Sequence, residues 1–235
     1  MSNTDKVEQA PQRRRIKSYV LRTGRMTINQ QEAMEKHWSS KGLEVSAGML
    51  DYAVEFGQAG PVIFEIGFGM GGSLVAMAKA APEKNFIGVE VHTPGVGKML
   101  ATMEEEGVEN IRTFCHDAVE VLEQCIVDQS LDRVQIYFPD PWHKKKHNKR
   151  RLVQASFIQK LREKMKVGGV IHLATDWEHY ADQMMEVMTA AEGFKNQADE
   201  YCFSERPDYR PFTKFEKRGE RLGHGVWDLL FEKVS

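Results

Sequence analysis

From residue 61 onward the chain alternates short apolar runs with stretches whose apolar positions recur every three or four residues, the pattern of strands interleaved with amphipathic helices. Residues 61–66 (PVIFEI) form an apolar run that ends in glycines and predicts a buried strand. Residues 73–81 predict a helix stopped before Pro82. Further strands are predicted at 85–91, 110–115, 133–138 and 170–174, with a last one at 225–232. Helices are predicted at 97–106, where Gly107 caps the end, and at 119–125, 152–165 and 178–191. The glycine pair Gly168-Gly169 reads as the break after the third of these. Ahead of residue 61 the only regular signal is a short helix over 30–38. The preceding residues are polar and basic without sustained period, so 1–30 reads as a flexible basic arm and 31–235 as one domain.

Strands separated by helices of this length imply right-handed crossovers and a mostly parallel, doubly wound α/β sheet covered on both faces. Ligands of such sheets bind beyond the carboxyl ends of the strands, near the point where the strand order reverses. The residues with chemical promise all fall at such ends.

Composition then narrows the setting. A chain of 235 residues, 41% hydrophobic and 28% charged, buries enough surface to fold without metal or disulfide. Three cysteines, Cys115, Cys125 and Cys202, make no C-x-x-C pair and leave one over, which fits a reducing cytoplasm. No apolar run approaches the roughly 20 residues of a membrane span, and residues 1–10 lack the apolar core of a signal peptide. The expectation is a cytoplasmic protein, monomer or homodimer, with no membrane and no metal. A net charge of −2 hides strong local asymmetry. Eight of the nine residues from His143 to Arg151 (HKKKHNKRR) are Lys, Arg or His, and local field is what attracts a polyanion. Weaker basic clusters lie at 13–17 and 206–221.

The segment 65–72 (EIGFGMGG) joins the first strong strand to its helix. Gly67, Gly69 and Gly72 fit the dinucleotide pattern G-x-G-x-x-G, and Glu65, Gly67, Gly69 and Gly71 fit E-x-G-x-G-x-G. The glycines permit positive φ and let a ligand lie against bare backbone; a tight strand-to-helix turn would use them too. Glu65 separates two ligands. A pyrophosphate seeks helix N-terminal amides without a neighbouring carboxylate, whereas the ammonium and sulfonium of S-adenosylmethionine are cations that a carboxylate attracts. Glu90 ends the next strand, where an acid accepts ribose hydroxyls. Asp117 follows the third, placed either to accept from an adenine amino group or to cap the next helix.

The fourth strand ends in Tyr137-Phe138-Pro139-Asp140-Pro141-Trp142. Two prolines stiffen the backbone around the acid and remove two donors, so Asp140 is expected to point outward from a rigid turn. The basic run follows at once; the plain alternative is a solvated charged face. His143 and His147 lack a third partner, which argues against zinc. Asp176 ends the fifth strand, at the rim or as a helix cap. Thr213, Lys214, Phe215 and Glu216 lie in a polar, basic loop.

Taken in order, E-I-G-F-G-M-G, G-V-E, H-D-A, F-P-D-P-W-H-K-K-K-H-N-K-R-R, A-T-D and T-K-F-E resemble the motifs of the bacterial tRNA (guanine-N7)-methyltransferases, from Arg14 to the C-terminus. The resemblance implies a class I S-adenosylmethionine-dependent, Rossmann-like fold with an antiparallel C-terminal strand. It implies methylation of guanine-46 in the variable loop of tRNA, leaving S-adenosylhomocysteine. It implies cofactor contacts at Glu65, Glu90, Asp117 and Asp140 beside the Gly67 and Gly69 backbone, and a catalytic role for Asp140. It implies RNA contacts at Lys144, Lys146, His147, Asn148, Lys149, Arg150 and Arg151, and at Asp176, Thr213, Lys214, Phe215 and Glu216.

Overall fold

A computed structural model describes residues 17–19, 24–212, 216 and 225–235. Thr213, Lys214, Phe215 and most of the expected arm therefore lie outside the described residues. Eight strands form one sheet in the order β1-β4-β3-β2-β5-β6-β8-β7. Strands β1 (Gly42–Leu43), β2 (Val62–Ile66), β3 (Asn85–Val89), β4 (Ile111–Phe114), β5 (Leu131–Tyr137) and β6 (Met165–Thr175) are parallel. The C-terminal β8 (Trp227–Lys233) runs antiparallel between β6 and the edge strand β7 (Phe194–Asn196).

Strands β2 and β3 are buried at every position, which is why they read as continuous apolar runs rather than as alternation. The chain winds outward from β2 through β3 to β4, then returns to β5 on the other side of β2. That reversal opens a crevice at the carboxyl ends of β2 and β5. The helices are α1 (Ile28–Lys41), α2 (Tyr52–Phe56), α3 (Gly72–Ala80), α4 (Thr93–Glu106), α5 (Ala118–Gln124), α6 (Ala155–Lys164) and α7 (Glu178–Thr189). Two apolar layers result, one on each face of the sheet. One holds Phe64, Ile87, Val134 and Leu161; the other holds Leu74, Phe86, Met99 and Ile111.

Three boundaries depart from the sequence reading for identifiable reasons. Helix α1 starts inside the stretch read as an arm, because Thr27 and Gln30 form a reciprocal capping box. Helix α6 starts at Ala155 rather than 152, since the Val153 N–H is taken by the Tyr180 hydroxyl at 3.1 Å. Gly168 and Gly169 lie inside β6, not after a helix. Met165 pairs with Leu131 and the register shifts before Arg133, so the glycines serve a strand irregularity.

Candidate active site

The crevice at the strand reversal is a cleft of about 480 Å³, within the range that holds a nucleoside-sized ligand. Ile66 and Gly67 at the end of β2, Glu90 and Asp117 after β3 and β4, and Pro139 and Asp140 after β5 all line it. Three of the four acids expected to contact the cofactor thus converge on one space. Gly67 and Gly69 have φ of 78° and 59°, and a Cβ on either would meet nothing within 4 Å. The backbone there is bare toward open space, as a ligand laid on it requires.

Glu90 is held before any ligand arrives. Its Oε2 accepts from the Gly69 N–H at 2.8 Å, and its Oε1 accepts from the Val91 and His92 N–H groups at 2.7 and 3.0 Å. These bonds tie the glycine loop to the end of β3 and fix the carboxylate's aim. Asp117 caps the next helix and also lines the cleft. Its Oδ1 accepts from the Val119 N–H of α5 at 2.8 Å.

Glu65 departs from expectation. It is buried beneath the loop and does not line the cleft. Its Oε2 accepts from Gln135 Nε2 at 3.0 Å. Burial raises its pKa to about 8, against the pull of Gln135 and Arg133, so at neutral pH the carboxyl is mostly protonated. The charge that was to attract a cation is largely absent, and the anionic side of the cleft is Glu90, Asp117 and Asp140.

The turn after β5 is strained as well as proline-stiffened. Phe138 and Trp142 both take left-handed φ, 50° and 46°, which non-glycine residues keep only where surroundings impose it. Asp140 Oδ1 accepts from the Trp142 N–H at 3.0 Å, and the Pro141 carbonyl accepts from Arg151 Nε at 2.8 Å. Arg151 is therefore a correction: it is buried, its guanidinium also reaching Gln183 Oε1 at 2.5 Å and stacking on Tyr180. It braces the turn from behind and presents no face to RNA. Lys144 is exposed just before a short 3-10 segment, Lys145–Arg150, on which Lys145, Lys146 and Lys149 are exposed and His147, Asn148 and Arg150 half-buried. Partial burial, then the surrounding cations, hold the His147 pKa below its ordinary value.

Asp176 is exposed at the end of β6 and does not cap α7, whose N-cap position is Trp177 with no side-chain cap. Glu216 is buried rather than presented, in an ion pair with Arg210 Nη1 at 2.6 Å. Arg210 also forks onto Asp228, with both bonds at 2.8 Å. Asp228 bonds His172 Nε2 at 2.7 Å, and His172 Nδ1 accepts from the Tyr137 hydroxyl at 2.8 Å. This buried network runs from Glu216 to the residue that enters the strained turn.

Sequence reasoning missed Ser18 and Tyr19, which line the cleft. Trp142 Nε1 donates to the Ser18 carbonyl at 3.0 Å, a contact across 124 residues that no local pattern announces. Among the described residues, no three His, Cys, Asp or Glu side chains gather as a metal site, and no helix is long and apolar enough to cross a membrane.

Comparison with known proteins agrees with this geometry. Residues 59–229 match a family model described as "Putative methyltransferase". The tRNA (guanine-N(7)-)-methyltransferase of Salmonella typhimurium is 58% identical over 222 residues, covering 94% of this chain and 93% of that one. The enzyme of the same name from Shewanella piezotolerans is 59% identical over 221 residues, with the same coverage. Among solved structures, the 16S rRNA methyltransferase KamB superposes with a TM-score of 0.59 at 15% identity, covering 80% of this chain and 95% of that one. The 16S rRNA (adenine(1408)-N(1))-methyltransferase of Catenulisporales acidiphilia gives 0.55 at 16%, covering 82% and 94%. At such identities the structural likeness establishes the class I methyltransferase fold alone.

Proposed function

The chain belongs to the tRNA (guanine-N(7)-)-methyltransferases, and we propose that it transfers the methyl group of S-adenosylmethionine to N7 of a guanine in cytoplasmic tRNA, guanine-46 of the variable loop. The observation that carries this reading is a juxtaposition. A nucleoside-sized cleft lined by three carboxyl groups, with bare glycine backbone at the end of β2, lies just before a run of exposed cations.

The residues present fit the donor. The Gly67 and Gly69 backbone leaves room for it; Glu90, its carboxylate fixed by backbone donors, would accept from the ribose hydroxyls, and Asp117 from the adenine amino group. When bound, S-adenosylmethionine supplies an electrophilic methyl group on a sulfonium centre. Guanine N7 carries its own lone pair, so the protein need not remove a proton before attack. Asp140, in the cleft lining, would face the positive charge that the base acquires. A carboxylate about 4 Å from that charge contributes up to ~4 kcal/mol at an effective dielectric of 20. Asp176, exposed and not spent on capping, accepts from the guanine N1–H and N2 edge and orients the base. Lys144, Lys146, Lys149 and Arg150 hold the phosphates.

The test is to incubate the protein with radiolabelled S-adenosylmethionine and unmodified tRNA transcript, digest the product and map the nucleoside. Label is expected in 7-methylguanosine at position 46. Label in another nucleoside, or tight NAD binding by calorimetry, would overturn the reading.

A further inference from the structure

Trp177 is 40% exposed, and its place in the fold gives that exposure a use. It occupies the N-cap of α7, a position where Ser, Thr, Asp or Asn would stabilise the helix and Trp does not. Its backbone is anchored, with the Trp177 N–H donating to Thr175 Oγ1 at 3.2 Å. Its ring is anchored too: the His143 imidazole stands edge-on at 4.4 Å between centroids and 76° between planes. His143 lies three residues beyond Asp140. The parallel register pairs Tyr137 with Ala174, so residues 175–177 run beside the Phe138-Pro139-Asp140 turn. An exposed, oriented indole therefore flanks the reaction turn on the β6 side, held by the residue that precedes Lys144.

A ligand for this spot must offer a flat aromatic face and carry negative charge close by. An unstacked base of RNA does both, since every base has a π-face that stacks on aromatic side chains while cations take its phosphates. An apolar protein segment would satisfy the indole and leave the lysines without purpose. We infer that Trp177, braced by His143, is the stacking face for the target guanine, which leaves its RNA stack to reach Asp140. This rests on the tRNA methyltransferase reading above. It adds a substrate-binding pair that lies outside the cleft lining.

The experiment measures equilibrium binding of full-length protein to tRNA transcript with S-adenosylhomocysteine present, for wild type, Trp177→Ala and Trp177→Phe. A second transcript carries an abasic nucleotide in place of the methylated guanosine. Trp177→Ala is expected to weaken binding of intact tRNA roughly 5- to 150-fold, the range for one base stacked on an aromatic ring. Trp177→Phe should recover most of the loss, and melting temperature and methyl-donor affinity should stay unchanged. On abasic tRNA the wild type should bind at least as weakly as Trp177→Ala binds intact tRNA, because Asp176 loses its partner too, with no further loss in the variant. Unchanged binding of intact tRNA by Trp177→Ala overturns the inference. An equal loss on the abasic transcript also overturns it, because the indole would then touch something other than the target base. Absence of 7-methylguanosine from the wild-type product would instead overturn the parent reading.

Discussion

Burial decides what a carboxyl group can do, and Glu65 and Glu90 show opposite outcomes at neighbouring strand ends. Glu90 has three backbone donors that hold its carboxylate at the cleft. Glu65 is fully buried with one side-chain donor, so desolvation raises its pKa from the ordinary 4.5 to about 8. The folded value lies above the unfolded one for an acid, so the folded state binds the extra proton between these values. The contribution of Glu65 to stability is then full below about pH 4.5. It falls by about 1.4 kcal/mol per pH unit until about pH 8. Glu65→Gln keeps an acceptor for Gln135 without the ionisation. Thermal melts from pH 5 to 8 should show the variant gaining steadily on the wild type, and parallel curves would mean water reaches the wild-type carboxylate. Asp140 offers the complementary test, because Asp140→Asn keeps shape while removing charge. Its single-turnover rate should drop about 10²–10³-fold, matching roughly 3–4 kcal/mol of lost transition-state stabilisation. A small rate loss with clearly weaker tRNA binding would mean that Asp140 only orients the base.

At the scale of elements, the run after Asp140 separates into two jobs that its composition conceals. Lys144, Lys145, Lys146, Lys149 and Arg150 lie on or beside the 3-10 segment with their charges toward solvent or, for Arg150, over the Trp142 ring at 4.9 Å. Arg151 turns inward to the Pro141 carbonyl and to Gln183 on α7. Replacing the first five with Ala should weaken all tRNA species alike and flatten the slope of log K against log salt by roughly 3.5 to 4.5, at 0.7–0.9 per phosphate contact. Methyl-donor affinity should hold. An unchanged salt slope would make the run a solvated face. Arg151→Ala should instead lower the melting temperature. The sequence announces the run but not this division, since burial of one arginine depends on where α7 packs. The same limit explains which elements were legible. Strands buried on both faces, such as β2 and β3, declare themselves as apolar runs, and the acids at their ends mark the cleft. Strands β1 and β7, of two and three residues, exist because a neighbour pairs with them, and nothing in their own composition says so.

Across the whole molecule, the buried network from Glu216 through Arg210, Asp228 and His172 to Tyr137 joins segments far apart in sequence, and no motif revealed it. Burial by itself would raise the Asp228 pKa, but its bonds to His172 and Arg210 outweigh that and hold it below the ordinary value. Burial lowers the His172 pKa, against the pull of Asp228. Both shifts act in one direction. The depressed Asp228 value adds stability that is present above its ordinary 3.8 and lost as pH falls below it. The depressed His172 value means the unfolded chain takes up its proton first, so stability begins to fall below 6.5. Asp228→Asn removes the charge on which Arg210 and His172 both depend. Breaking a buried pair from one side costs about 3–5 kcal/mol, and at roughly 2–4 °C per kcal/mol for a chain of this size the melting temperature should fall by about 6–20 °C. If the network also positions the turn after Tyr137, the folded variant, assayed well below its melting temperature, should bind methyl donor normally yet methylate tRNA more slowly at saturation. A lower melting temperature with an unchanged single-turnover rate would confine the network to holding the sheet together.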